Sequence, residues 1–375
     1  MRAVFNSFGG RYNDNPRAVY EALVARGTEM DAVWLARPEL RGDFPAGVRT
    51  VEHWSPDARA ALESADVIVS NDGLSREWDK APTTTYVQTW HGTPLKRLHR
   101  DAAWSPEGRL ELVMRDISRW DHLLSPNAAT TPNLRSAFGF EGPVHETGYP
   151  RNDVLSAPDR DRRRARVREE LGIAEHVTAV LYAPTWRDDL VLGGEGPAHS
   201  FPVDLGDLAR GLGGDSVLLV RLHAMVSDRL VVRGPAPLLD VSRYPDISEL
   251  YLAADVLVTD YSSAMFDFAV TGKPIVHFTY DLEHYRDDLR GFYFDLAEIA
   301  PGPLLTTSEQ VLAAIAELGD APWEPTAGYV RFRETFCALE DGHATDRVLQ
   351  LFFPPAAASG APTLTAPPTN DRQRS

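Results

Sequence analysis

Short, β-branched apolar runs alternate with amphipathic stretches along most of the chain. That alternation predicts parallel strands joined by crossover helices. "RAVFNSF" and "MDAVWLA" read as the first two strands. Between them "NPRAVYEALVARG" reads as a helix, with Asn15 as N-cap, Pro16 at the first helical position and Gly27 beyond the end. "SPDARAALESA" is a helix opened by Ser55 and Pro56, followed by strands over "DVIVSND" and "TTTYVQTW". A helix over "SPEGRLELVMRDISRW", a strand ending in "DHLLSPN" and a helix over "AATTPNLRSAFG" complete the unit.

The cycle then restarts. "DRDRRRARVREELG" predicts a charged helix from near Asp159, followed by "VTAVLYAP", "SVLLVRLH", "APLLDVS", "ISELYLAA", "DVLVTDYSS", "AMFDFAVTG" and "KPIVHFT". The pattern divides the chain into one Rossmann-like domain over 1–155 and a second over 156–353, which takes in the terminal helices "TSEQVLAAIAELG" and "AGYVRFRETFCALEDGHATDRVLQLFF". The last segment, 354–375, is rich in Pro, Ala, Thr and Ser and is expected to be a disordered tail. The expected fold class is α/β, with two parallel sheets facing a central cleft. In such sheets ligands bind outside the carboxyl ends of the strands.

Composition narrows the function classes. Of 375 residues, 43% are hydrophobic and 25% charged, enough for two packed cores. A net charge of −16 argues against a broad basic face, so nucleic acid is not an expected partner. The single cysteine, Cys337, forbids an intramolecular disulfide and fits a reducing cytosol. "MRAVFNSFGG" lacks the apolar region of a secretory signal, and no apolar run is long enough to span a bilayer.

The unusual residues cluster at predicted strand ends. In "QTWHGTPLK", His91 follows a strand and precedes a Gly-Thr-Pro turn, which reads as a catalytic base or as a buried turn histidine. In "DVLVTDYSS", Asp260 ends a strand, and Ser262 and Ser263 stand where a helix begins. Free N–H groups and the dipole make a helix start an anion site, while the plain reading of Ser262 is an N-cap. His223 ends "LLVRLH" as a phosphate donor or a structural histidine, and Arg221 reads as a salt-bridge residue. In "YAPTWRDD", Trp186 can stack and Arg187 can pair with phosphate, or the two form an aromatic anchor and a surface ion pair. "HYRDDLRGFYFD", with Arg290 and Gly291, is a candidate substrate lid. "GYPRND" is a turn at the domain joint from which Arg151 can reach the cleft.

No G-x-G-x-x-G, P-loop, H-E-x-x-H, cysteine cluster or G-x-S-x-G elbow occurs, nor an Asp-x-Asp between strand and helix. Neither a cofactor nor a metal is therefore expected.

In order, "SFGGRYNDNPRAVYEAL", "QTWHGTPLK", "SPNAATTPNLRSAFGF", "GYPRNDVL", "YAPTWRD", "VRLH", "ISELYLAADVLVTDYSSAMFDF", "TGKPIVHFTYDLEHYR" and "RGFYFD" resemble the CDP-glycerol glycerophosphotransferase family over roughly residues 1–350. Its members build teichoic-acid and related phosphopolyol polymers in bacteria. The resemblance implies a GT-B-like architecture, with the acceptor side in 1–155 and the CDP donor bound mainly by the second domain. It implies transfer of glycerol phosphate from CDP-glycerol to an acceptor hydroxyl, with release of CMP. His91 maps to the family's base and His223 to its second important histidine, although Ala224 stands where the family often has proline. Ser262, Ser263, Arg290 and Arg187 become donor-phosphate contacts, and Thr93, Trp186, Asp260 and Arg151 candidate substrate contacts. The implied partners are CDP-glycerol or a related CDP-polyol and a lipid-linked polymer acceptor, at the inner face of the plasma membrane. "LKRLHR" at 95–100 and "RDRRRARVR" at 160–168 are then either anionic-lipid contacts or solvated helix faces. The competing readings are a CDP-ribitol transferase, a GT-B enzyme acting on a nucleotide sugar, and a catalytically silent scaffold.

Overall fold

The computed structural model describes residues 1–102, 108–185, 204–222, 237–289, 291–319 and 322–354. The first domain carries β1 (Arg2–Asn6), β2 (Asp31–Ala36), β3 (Thr50–Glu52), β4 (Val67–Ser70), β5 (Thr85–Gln88), β6 (His122–Ser125) and β7 (Val144–Glu146). They form one sheet in the order β3-β2-β1-β4-β5-β6-β7, parallel throughout. The second carries β8 (Thr178–Ala183), β9 (Ser216–Val220), β10 (Leu238–Asp240), β11 (Val256–Thr259), β12 (Ile275–Phe278) and β13 (Leu304–Leu305). Their order is β10-β9-β8-β11-β12-β13, again all parallel. Both sheets follow the doubly wound order 3-2-1-4-5-6, so each reverses direction beside its first strand and opens a crevice there. The fold is GT-B-like: two Rossmann-like domains.

Helices cover both faces of each sheet, which is why β4 and β11 are buried at every position instead of alternating. Local capping agrees with the sequence at Ser55, whose Oγ accepts from Ala58 N at 3.1 Å. At Thr307 and Gln310 it forms a full capping box. The first helix departs from expectation. It runs Asp14–Ala25, and Asn15 lies inside its first turn, fully buried, with its side chain turned to other loops. Arg221 also differs: among the described residues its guanidinium donates to the carbonyls of Val241 and Tyr244 and forms no salt bridge.

Two elements cross between domains. Leu95, just after the "HGTP" turn, is 1% exposed and packs in the second domain's core with Tyr261, Met265 and Tyr285. The chain beyond it pairs with the "GFYF" segment: Tyr293 N donates to Leu95 O at 2.8 Å, Arg97 N to Gly291 O at 3.0 Å, and Lys96 bridges Phe292 antiparallel. The segment read as a lid is thus partly a docked strap, with Tyr285 buried and the turn at His284–Leu289 wound as a π-helix. The Ala344–Phe352 helix, grouped with the second domain on sequence pattern, packs instead on the first: Val348, Leu349 and Phe353 join Phe5, Val19 and Leu23. The tail expected over 354–375 lies outside the described residues, apart from Pro354.

Candidate active site

His91 stands where the sequence places it, at the carboxyl end of β5. Thr89 N donates to Ser70 O at 2.8 Å, extending the β4–β5 ladder past the strand. Gln88 then folds its Oε1 back to accept from Trp90 N at 2.9 Å. Trp90 adopts φ +53°, a left-handed conformation uncommon for a large residue, which turns the chain sharply at His91. The imidazole is half-buried between Trp90, 4.0 Å between ring centroids, and Phe8, at 5.1 Å.

The carbonyls on either side of this turn are held. Asn15 Nδ2 donates to Trp90 O at 3.0 Å, and Arg151 Nη1 donates to His91 O at 2.6 Å. Arg151 is buried and also pairs with Asp14 and Asp267, each at 2.6 Å. Asn152 Nδ2 donates to the other oxygen of Asp267 at 2.9 Å. Burial pushes the guanidinium toward its neutral form, but the charges of Asp14 and Asp267 outweigh it and hold Arg151 protonated. Arg151 therefore does not reach toward a ligand, as the sequence reading allowed. It ties the His91 turn to the start of the first helix and to the Ala264–Phe268 helix after "DYSS". Sequence reasoning gave Asp14 and Asp267 no role and read Asn15 only as a helix cap.

The second domain approaches at Gly92. A Cβ there would lie 2.8 Å from Ser263 Oγ and 3.1 Å from Ser263 Cβ, so any larger residue would force Ser263 to shift. Ser263 is the N-cap residue of its helix without a side-chain cap bond, and Ser262 Oγ accepts from Ala264 N at 3.3 Å. Both serines are half-buried. Asp260 is buried, and its Oδ1 accepts from Thr185 N at 2.8 Å and Tyr261 N at 2.6 Å, tying the β8 and β11 loops together. Beneath it His277 is fully buried, with Nδ1 3.3 Å from Asp260 O. Burial lowers its pKa to about 4, so the ring is neutral. Thr93 is buried within the turn. The structure thus brings His91, Thr93, Arg151, Asp260, Ser262 and Ser263 around one junction. His223, Arg290, Trp186 and Arg187 lie outside the described residues.

Two arginines of the basic stretch 160–168 turn inward, while most of the stretch is exposed. Arg164 donates to the carbonyls of Leu252, Ala253 and Ala254, Arg168 to those of Ala253, Ala174 and Val177, and both pair with Asp255. Arg160 and Arg162 are exposed and Arg163 is half-buried, beside Asp161 and Asp159.

A histidine at one sheet's carboxyl edge thus stands against a serine-bearing helix start of the other in a two-domain, GT-B-like protein. Comparison with known proteins specifies it further. Residues 1–354 match the family model described as CDP-glycerol:poly(glycerophosphate) glycerophosphotransferase, and the chain belongs to that family. It is 36% identical over 358 residues to the teichoic acid poly(glycerol phosphate) polymerase of Bacillus spizizenii W23, covering 92% of this chain and 90% of the relative. The polymerase of the same description from Bacillus subtilis 168 is 35% identical over 93% of this chain, which spans about half (48%) of that longer protein. Among solved structures, the wall teichoic acid polymerase TagF, as a variant soaked with CDPG, superposes with a TM-score of 0.83. The identity is 34%, over 93% of this chain and 88% of that one.

Proposed function

We propose that the chain transfers glycerol phosphate from CDP-glycerol to a hydroxyl of a lipid-linked, teichoic-acid-like acceptor, with His91 as general base. Family membership supports the donor and the reaction class. The observation that carries the residue assignment is the contact of the His91 turn with Ser263 through Gly92, which sets that turn against the serine-bearing start of a helix. In this reading the acceptor oxygen attacks the β-phosphorus. His91 takes its proton, the bond to the bridging oxygen breaks, and CMP leaves. Phosphoryl transfer asks chiefly for positioning and charge stabilisation. The hydroxyls of Ser262 and Ser263 supply donors for the departing phosphate. His223, Arg290 and Arg187 belong to the donor side of the same reading, with Trp186 as a stacking contact. An imidazole suits deprotonation of an alcohol near neutral pH.

The test is CMP release from CDP-glycerol and CDP-ribitol, with and without an acceptor analogue. Acceptor-dependent release from CDP-glycerol is expected, and release from CDP-ribitol alone would overturn the donor assignment. His91→Ala should lose about 10²–10⁴-fold in turnover while still binding CDP-glycerol. Near-normal turnover removes His91 from the chemistry. The reading uses no metal, so turnover should persist in EDTA.

Among the described residues no helix is long and apolar enough to cross a membrane. Attachment at the inner face of the plasma membrane is proposed to come from the acceptor's lipid. Sedimentation with acceptor-bearing but not plain anionic vesicles would support that route.

A further inference from the structure

We propose that the carboxyl edge of the first sheet, running away from His91, binds the phosphates of an anionic polyol-phosphate acceptor chain through Arg11, Arg37, His53 and Arg76. The inference rests on the transferase reading above and adds where the second substrate lies.

The strand order β3-β2-β1-β4-β5 sets the row. His53 directly follows β3, Arg37 directly follows β2, Arg11 lies in the loop after β1, Arg76 in the loop after β4, and His91 follows β5. Neighbouring strands lie about 4.8 Å apart, so three guanidiniums and the uncharged imidazole of His53 are laid out at short intervals along one edge. The loops are fixed to one another. Arg37 N donates to Gly10 O at 3.2 Å and His53 N to Ala36 O at 2.9 Å. A Cβ on Gly10, which adopts φ +115°, would lie 2.6 Å from Arg37 N. The Arg76 guanidinium sits over Trp54, 5.0 Å from the ring centroid, and Trp54 touches His53 at 4.6 Å.

Two features point to a ligand. Arg37 Nε and His53 Nε2 are buried without a hydrogen-bond partner, next to each other in the row. The row also concentrates positive charge in a chain of net charge −16. Burial, with the charges of Arg37 and Arg76, lowers the pKa of His53 to about 4, which shows how near those guanidiniums come. The acids nearby are Glu39, 3.8 Å from Arg37 Nη1 on the surface, Asp72, beside Gly9, Glu52, next to His53 and 3.9 Å from Arg41, and Glu77, next to Arg76 and 3.5 Å from Arg115. Phe8 spans the gap to the His91 ring. A phosphodiester chain, whose charges recur every few bonds, suits such spaced cations. The donor's phosphates are assigned across the junction, to Ser262 and Ser263.

The test uses the full chain and a fluorescent glycerol phosphate oligomer, with anisotropy read without donor. Wild type should bind it, and Arg37→Ala/Arg76→Ala should weaken binding by at least about tenfold, with Arg37→Lys between them. Arg76→Ala alone, at an exposed position, guards against misfolding of the double variant. In turnover, the acceptor KM should rise while the CDP-glycerol KM holds. Unchanged oligomer affinity in the double variant overturns the proposal, as does a rise confined to the CDP-glycerol KM. Failure of the catalytic reading shows separately, as absent CMP release with oligomer binding intact.

Discussion

Arg151 Nη1 lies 2.6 Å from both Asp14 Oδ2 and His91 O, and Nη2 lies 2.6 Å from Asp267 Oδ2. A planar fork suits this task because each nitrogen has a fixed direction, and a lysine cannot reproduce it. Asp14 itself adopts φ +62°, so the network also holds a strained residue in place. Removing the guanidinium leaves two buried carboxylates facing each other without a cation. Arg151→Met should therefore cost about 3–5 kcal/mol of stability. It should also lower kcat more than it raises the CDP-glycerol KM, because the His91 carbonyl loses its anchor. Arg151→Lys should recover stability better than kcat. Denaturant titration and steady-state kinetics read both quantities, and a Met variant as stable as wild type would refute the network's role.

At the scale of elements, the strap formed by residues 95–98 and 291–294 fixes the distance between the two sheets' carboxyl edges. Its anchor is Leu95, which belongs to one domain by sequence and to the other by packing. Leu95→Ala should destabilise the chain by about 2–5 kcal/mol through a cavity in the second core. It should also loosen the His91–Ser263 junction, so kcat falls at temperatures where the chain is still folded. Thermal unfolding and kinetics below the transition check the two effects, and unchanged kcat would mean the strap does not set the junction. Elements of this kind mark the limit of reading a sequence. The long buried strands and the Ser55 cap were legible because period and capping are local. β3 and β7, three residues each and not fully buried, carry too little pattern to be recognised. His91 and the two serines were visible because a chemical residue at a strand's end is itself a local signal. Arg151's partners lie 137 and 116 residues away, and no local pattern records such a pairing. Asn15 looked like a cap because its residue type fits that role. It is instead a buried connector, and the chain accepts the loss of the cap bond for two tertiary ones.

Across the whole molecule, the domains are joined twice, by the linker at 148–156 and by the return of the last helix to the first sheet. The two joints are bonded to each other. Asp153 caps the last helix, accepting from Ala344 N at 2.9 Å and Thr345 N at 2.7 Å, and Ser156 Oγ donates to Glu340 O at 3.0 Å. Glu340 Oε1 accepts from Tyr149 N at 3.1 Å, and its other oxygen is buried without a partner. Burial, reinforced by the charge of Asp267, raises the Glu340 pKa from 4.5 to about 8. Between those values the folded chain keeps a proton that the unfolded chain has released. Stability must therefore fall as pH rises across that window, by up to about 1.4 kcal/mol per pH unit from this group. Glu340→Gln keeps the shape and the acceptor for Tyr149 N but cannot ionise. The variant should gain stability relative to wild type as pH rises from about 5 to about 8, with the two curves converging at the acid end. Burial also raises the pKa values of Asp153 and Asp267, but those groups remain in both proteins, so the difference between the curves isolates Glu340. Denaturation midpoints taken at intervals across the window measure it, and parallel curves would show that Glu340 is already ionised in the folded chain.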